Sequence, residues 1–248
     1  MKKDNTLVSN KSSIIAQSKA HLKELIKKEI AINGNKCDLN HIDTSFITDM
    51  SSVFEYSDFQ GEISLWDVSN VVNMSTMFAN SQFNGDISKW NVSGVKDMGW
   101  LFSESVFNKS LSNWDVSSVV DMSFMFYTSQ FNGDISGWNT SCVTDMSYMF
   151  KRSVFNQDVS NWNVLAVQEM QEMFATSSFT GKTCNWQPLK LMSYYGVEEM
   201  FSRCVAPIPY WAAIMDNKER NAAIQSYQVK KNLEEKIKTT VVNKVLKI

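Results

Sequence analysis

The sequence has few of the residues that usually build a catalytic or cofactor site. It contains 2 histidines, 9 glycines and 3 prolines in 248 residues. General acid–base and nucleophilic catalysis would have to draw on His21 or His41, and no Ser/His or Cys/His pairing suggests itself. The four cysteines have no CxxC spacing, so we expect reduced, buried thiols: Cys37, Cys142, Cys184 and Cys204. The sequence therefore predicts a protein that is not an enzyme and holds no cofactor or metal.

Long apolar runs are also missing. No window approaches the roughly 18 consecutive apolar residues of a transmembrane helix. The start has lysines but no apolar core behind them, so it does not resemble a secretory signal. We expect residues 1–11 to be disordered. A cytoplasmic location follows from this reading, and the alternative is export by a signal-independent route or surface display.

Aromatic residues and methionines, in contrast, are abundant: 8 Trp, 15 Phe and 14 Met. Many of them recur at steps of 24 residues, in four registers that stay in phase. The tryptophan register is Trp66, Trp90, Trp114, Trp138, Trp162 and Trp186, and one phenylalanine register is Phe54, Phe78, Phe102, Phe126, Phe150 and Phe174. A methionine register begins at Met50, and a second phenylalanine register at Phe59. The sequence therefore contains an internal repeat of 24 residues.

One repeat reads ISLWDVSNVVNMSTMFANSQFNGD, residues 63–86. Its first six residues have the LxxLxL spacing, which predicts a strand with Trp66 facing the core and Asp67 facing out. Met74, Met77 and Phe78 stand at i, i+3, i+4, which predicts a short helix. Asparagine–glycine pairs at 84–85 and 132–133 predict positive-φ turns that lead back to the next strand.

One strand and one short helix cannot bury their own apolar faces, so neighbouring repeats must stack. The predicted fold is an α/β solenoid like that of leucine-rich repeats, with a parallel sheet along one side. We expect the solenoid at residues 37–206, a helical N-terminal cap at 12–36 and a helical C-terminal cap or tail at 207–248. Three residues are inserted near Tyr194, Tyr195 and Gly196, where one repeat is longer. The first strand is predicted at residues 39–44.

The segment VTDMSYMFKRSVFNQDVSNWNV, residues 143–164, resembles the repeat of the BspA-like leucine-rich-repeat proteins, also described as the DUF285 repeat. The resemblance covers roughly residues 38 to 187. It implies a bacterial or mycoplasmal repeat protein used for adhesion or recognition, usually displayed on the cell surface. The chain departs from that pattern because it has no recognisable signal peptide, and because valine stands where ordinary leucine-rich repeats have their asparagine ladder.

Small polar residues occupy the outward position of each predicted strand. On a concave sheet they would line the surface where solenoids concentrate their contacts. The alternative is that they only solvate an exposed sheet. The predicted partner-binding residues are Asp43, Asp67, Asn91, Asp115, Asn139, Asn163 and Gln187, together with Leu65, Lys89, Asn113 and Asn161.

Charge is distributed unevenly along the chain. Residues 37–217 hold 8 Lys/Arg and 20 Asp/Glu, while both ends are basic. An acidic middle is poorly suited to nucleic acid and favours a basic protein partner. The acidic residue before each repeat methionine is predicted to cap a helix N-terminus. Repeated Asn-Gly-Asp turns can indicate calcium, but a serine and a lysine at Ser110 and Lys182 argue against a metal ladder.

These observations predict a protein-recognition module that acts through its concave face; the sequence does not determine its oligomeric state, for which a monomer is the default. One version is an intracellular immunity or inhibitor protein that binds a basic partner. The alternative is a surface-exposed or exported adhesin or effector that binds host or matrix proteins. The sequence leaves open whether the basic C-terminal helix packs on the repeats or contacts another molecule.

Overall fold

A computed structural model describes residues 13–183, 185–191, 197, 199–214 and 216–245, with side chains given no further than residue 238. The predicted disordered start, Cys184 and the insertion at Tyr194, Tyr195 and Gly196 lie outside the described residues. Regular secondary structure is sparse within them, and most of the repeat region consists of turns.

Two helices and one pair of short strands are the regular elements of the described residues. Strand β1 (Ile14–Ile15) pairs in parallel with β2 (Ile42–Asp43), which lies inside the first predicted strand. Helix α1 (Lys19–Asn33) begins after Ser18, whose hydroxyl accepts from the amide of His21, and ends at Gly34 with φ 78°. Helix α2 is Asn217–Val245.

The prediction of one strand and one short helix in every repeat is wrong. Neither element occurs between residues 44 and 183. The segment predicted as a strand instead contains a turn, in which the Trp66 amide donates to the Ile63 carbonyl. Isolated parallel bridges join consecutive repeats elsewhere, at the residue before each repeat methionine: Asp49–Asn73, Asn73–Asp97, Asp97–Asp121, Asp121–Asp145 and Asp145–Glu169.

The predicted helix is replaced by hydrogen bonds between repeats. From the repeat methionine onward, every second backbone amide donates to a carbonyl of the next repeat rather than to one in its own repeat. The first three in one repeat join Met74 to Asp97, Thr76 to Gly99 and Phe78 to Leu101, at 2.9–3.0 Å. In an α-helix that begins at Met74, the Phe78 amide would donate to the Met74 carbonyl, so the bond from Phe78 to Leu101 excludes that helix.

A left-handed backbone conformation recurs in each repeat, at the second and sixth residue after the repeat methionine. Fourteen non-glycine residues of the described chain have φ between 49° and 60°, Thr76 and Asn80 among them. The Met77 amide donates to the Met74 carbonyl across Thr76. Positive φ at the third of four residues is the geometry of a type II turn. Turning brings Met74 and Met77 to one side, which satisfies the i, i+3 apolar spacing without a helix.

The asparagine–glycine pairs do not form positive-φ turns. Among the described residues Gly34 is the glycine with positive φ, and Asn84 and Asn132 have negative φ. Glycine is required at position 85 because the ring of Phe83 lies against its backbone. A Cβ added there would lie 2.7 Å from Phe83 Cε2. The glycine therefore makes room for a buried ring rather than for a turn.

Stacked rings form the core of the repeat region. The rings of Phe54, Phe78 and Phe102 follow one another with centroids 5.6 Å apart, and each of the three is at most 1% exposed. Each repeat tryptophan also reaches the preceding repeat, since Trp114 Nε1 donates to the Ile87 carbonyl at 3.0 Å. These contacts join consecutive repeats through both the core and the backbone.

The stack continues across the longer repeat. The Phe174 amide donates to the Met200 carbonyl at 2.9 Å, and the rings of Phe174 and Phe201 have centroids 5.5 Å apart. The corresponding bond one repeat earlier joins Phe150 to Met173. Three additional residues are therefore accommodated without breaking the register.

The two helices lie against opposite ends of the repeats in the chain. Helix α1 buries Leu22 and Ile26, and Lys19 forms a 2.7 Å ion pair with Asp49 in the first repeat. Helix α2 buries Ile224, and the side-chain amide of Gln187 donates to Oε1 of Gln228 in this helix at 2.7 Å. Neither helix, within the described residues, has an apolar stretch long enough to cross a membrane.

Trp114→Ala tests the stacked core. The indole is 3% exposed and hydrogen-bonded to the preceding repeat, so its removal leaves a cavity and an unpaired carbonyl. We expect the free energy of unfolding to fall by about 3–5 kcal/mol in a denaturant titration. Asn113→Ala, at the exposed neighbouring residue, is the control and should change it little. Equal stability of the two variants would contradict the assignment of Trp114 to the stacked core and of Asn113 to the surface.

Candidate functional site

Six of the predicted partner-binding residues form a regular exposed row, which we call the Asx row. It consists of Asp43, Asp67, Asn91, Asp115, Asn139 and Asn163. Asp43 is half-buried and the other five are exposed. The buried neighbours of Asp67 are Trp66 and Val68, at 3% and 1% exposure. The predicted alternation of inward and outward side chains is therefore present, although a turn and not a strand produces it.

Each side chain of the Asx row is held by its own backbone. Its oxygen accepts a hydrogen bond from the amide two residues further on, the Asx-turn arrangement. The distance is 2.9 Å from Asp67 to the Ser69 amide and 3.0 Å from Asp115 to the Ser117 amide. The same bond is 3.3 Å from Asn91 to Ser93. The row is therefore fixed in conformation before any partner arrives, and aspartate and asparagine serve this structural role equally.

Local hydrogen bonds favour the charged form of two aspartates of the row, Asp43 and Asp115. Hydrogen bonds from the side chain and the backbone of Ser117 lower the pKa of Asp115, and those from Ser45 lower the pKa of Asp43. Burial opposes these effects only weakly because both carboxylates are close to solvent. Anionic groups of fixed orientation suit a cationic partner.

The four flanking residues of the predicted surface are also exposed. They are Leu65, Lys89, Asn113 and Asn161, and Leu65 reaches 77% exposure. A shallow cavity of about 230 Å³ lies between Leu65 and Lys89, with Asp86 at its edge. A second one, of about 160 Å³, is lined by Asn163, Leu165 and Gln187. Both volumes are below those of typical small-molecule sites.

The last predicted residue of the surface, Gln187, lies in a different environment. It is half-buried and contacts Gln228 of α2, and neighbouring Asn185 accepts from Lys231 at 3.1 Å. Helix α2 therefore covers this end of the row in the structure, and the exposed surface is the part from Asp67 to Asn163.

An asparagine ladder is present at a position that sequence reasoning did not identify. The Oδ1 atoms of Asn84, Asn108, Asn132 and Asn156 each accept from the backbone amide 24 residues further on, at 2.8–2.9 Å. The signal was visible, because each of these asparagines follows a core phenylalanine. At Asn84 and Asn132 the glycine that follows makes turn formation the more obvious interpretation.

The acidic residues before the repeat methionines do not cap helices, because no helix follows them. The aspartates among them still accept backbone amides two residues on, as Asp97 does from Gly99 at 2.9 Å. Stacking places like charges beside one another. Burial raises the pKa of Asp97, and the charges of Asp121 and Asp49 add to this effect against the hydrogen bond from Gly99. Burial and the charge of Asp145 likewise raise the pKa of Glu169.

Catalytic residue types stay scattered. His41 Nε2 lies 3.4 Å from Glu29 Oε1, and His21 Nδ1 accepts from the Gln17 amide. The described residues contain no group of three His, Cys, Asp or Glu side chains that could hold a metal. Cys37 is buried as expected, whereas the expectation of a buried Cys142 is wrong, since that thiol is exposed. Its position after Ser141, at the tip of an Asx turn, accounts for the exposure.

The chain matches the family described as "Mycoplasma protein of unknown function, DUF285" over residues 20–130 and 100–208. The two segments overlap and together span the whole repeat region, as expected for a repetitive sequence. No curated protein and no solved structure gives a match.

Asp97→Asn tests the electrostatics of the stacked carboxylates. Asparagine stands at the equivalent Asn73 and makes the same turn, so the variant keeps the hydrogen bond and removes a disfavoured charge. Because the folded-state pKa of Asp97 is raised, this carboxyl group lowers stability as the pH rises through that pKa. We expect the variant to be more stable than the wild type at neutral pH and the difference to shrink in acid.

Asp86→Asn is the matched control for that measurement. Hydrogen bonds from Ser88 lower the pKa of Asp86, so its charge contributes stability that is present above its unfolded pKa and lost as the pH falls. The control variant should be slightly less stable than the wild type at neutral pH. The free energy of unfolding is measured by denaturant titration at several pH values. If both variants differ from the wild type in the same direction at neutral pH, the assigned burial of Asp97 is contradicted.

Proposed function

The chain belongs to the DUF285 family, and from that premise we propose that it is a non-enzymatic recognition protein whose repeats form a solenoid and bind a protein through the Asx row. The family's own description assigns no function. The proposal rests on the surface of this chain and on the general use of stacked repeats, which present the same position of every repeat side by side.

The observation that carries the proposal is the fixed and repeated geometry of the row. Asp67, Asn91 and Asp115 are exposed at steps of 24 residues and are each held by a hydrogen bond to their own turn. Side chains that are ordered in the free protein lose little conformational entropy on binding. Turn formation alone favours these residue types, so the proposal is supported by their regular exposure along the repeats rather than by the choice of residues.

Charge favours a basic partner. Residues 37–217 carry 20 acidic and 8 basic residues, and two of the acidic residues, Asp67 and Asp115, are exposed in the row. Long-range attraction of this kind raises the association rate with a cationic protein. An inhibitor or immunity protein that neutralises a basic protein inside the cell fits these properties.

The absence of enzymatic activity is proposed on the same grounds. Neither histidine lies beside a nucleophile in the contacts described, and the cavities along the row are shallow. Exposed amides and carboxylates at regular spacing suit a broad contact with another macromolecule better than the enclosure of a small substrate.

Asp67→Asn combined with Asp115→Asn tests the role of charge in the row without disturbing its turns. Asn91 and Asn139 show that asparagine makes the same hydrogen bond, so the melting curve should stay close to that of the wild type. A photo-crosslinking amino acid at Asn113 would capture the partner in the cells that make the protein. We expect the yield of the adduct to fall in the double variant, with mass spectrometry as the readout.

The control carries the crosslinker at Gln130, which is exposed but outside the Asx row. A single basic intracellular protein captured only from Asn113 would support the inhibitor role. Host or matrix proteins captured there would support the row as the binding surface but move the function to adhesion. Equal capture from Gln130, or an adduct unaffected by the double variant, would refute the Asx row as the binding surface.

A further inference from the structure

A second, partly exposed feature lies nine residues further along the repeat than the Asx row. Three consecutive repeats place an aromatic residue at the second position after the repeat methionine, and we call Trp100, Phe124 and Tyr148 the aromatic row. Their rings stack face to face, with centroids 3.8 Å apart for Trp100 and Phe124 and 4.3 Å apart for Phe124 and Tyr148. Tyr127 packs edge-on against Phe124.

The fold does not require aromatic residues at this position. All three have positive φ, at 60°, 55° and 60°, a conformation that bulky side chains rarely adopt and that costs free energy. Other repeats place Ser52, Thr76 or Glu172 at the same position with the same backbone. Strained aromatic side chains on a partly exposed surface indicate a role other than packing.

The end of the row at Tyr148 already holds a cation. Lys151 Nζ lies 5.1 Å from the centroid of the Tyr148 ring, and the same ammonium forms an ion pair with Glu172. This is a cation–π contact backed by a carboxylate. The Tyr148 end of the row therefore binds a cation between an aromatic ring and a carboxylate.

The end of the row at Trp100 also has an aromatic ring with carboxylates nearby, but no cation lies over the ring in the described residues. Trp100 is 37% exposed, and its ring contacts in the described chain are with Phe124 and Tyr127 on one side. Gly99, directly before it, lies between two carboxylates, because a Cβ built there would be 3.2 Å from Asp97 Oδ1 and 3.6 Å from Asp121 Oδ1. Within the described residues neither carboxylate has a lysine or arginine partner, unlike Asp49, which pairs with Lys19.

We propose that the aromatic row is a second binding surface, which takes an arginine-containing segment of a partner protein with a guanidinium group over Trp100 and beside Asp97 and Asp121. A guanidinium is planar, always charged and weakly hydrated, so it stacks on an indole and pairs with a carboxylate at once. This inference goes beyond the proposed function and does not depend on the Asx row.

Tryptophan fluorescence isolates this surface. The chain has 8 tryptophans, and the other seven are 4% exposed or less, so acrylamide quenching reports mainly on Trp100. The probe is a fluorescein-labelled peptide of alternating glycine and arginine, with a citrulline peptide as its uncharged match. The arginine peptide should bind saturably by anisotropy, and an unlabelled copy should protect Trp100 from the quencher.

Trp100→Thr removes the ring and copies the residue that Thr76 supplies in the preceding repeat, so the backbone is kept. We expect the affinity for the arginine peptide to fall about three- to tenfold, while Val205→Ser, which removes an exposed apolar side chain at the C-terminal end of the repeats, leaves it unchanged. Phe124→Thr should weaken binding less than Trp100→Thr. Equal affinity of Trp100→Thr and wild type, equal binding of the citrulline peptide, or no saturable binding would each overturn the proposal.

Discussion

The pairing of backbone amides between consecutive repeats is the constraint on which the rest of this structure depends. Met74, Thr76 and Phe78 donate to the repeat that follows, and the bonds recur at steps of 24 residues along the chain. Buried amides must find partners; these three find them in the neighbouring repeat, while the amides of Met77 and Ala79 find them in the local turn. The stacked phenylalanine rings and the tryptophan–carbonyl bonds then follow, because they require the same register.

That constraint also explains the positive φ angles in each repeat and the rows of equivalent residues on the surface. Amides that alternate between the neighbouring repeat and the local turn require positive φ at Thr76 and its equivalents, at a free-energy cost that regular pairing must offset. Stacking aligns equivalent residues into columns, so a single substitution per repeat creates a continuous surface. The Asx row and the aromatic row are two such columns, one uniform along the chain and one confined to three repeats.

The periodicity of the sequence predicts the repeat, the buried positions and the exposed ones, because these depend only on which residues recur. It does not predict the local backbone. Met74, Met77 and Phe78 have the spacing of a helix face, but a chain of turns buries the same three side chains, and the pattern cannot distinguish the two. Gly85 is required by the ring of Phe83 and not by its own φ, which is visible only when the chain is folded. The predicted outward position is exposed from Asp67 to Asn163 because alternation survives in a turn, whereas Asp43 and Gln187 are half-buried.

The central claim is tested most directly by scalar couplings across hydrogen bonds, measured by NMR on the isotopically labelled protein. The account predicts a coupling between the amide nitrogen of Phe102 and the carbonyl carbon of Met125, since these groups lie 2.9 Å apart as donor and acceptor. A coupling from the same amide to the carbonyl of Met98, four residues earlier, would mean that the repeat contains the helix its apolar spacing suggests, and would contradict the stacked arrangement described here.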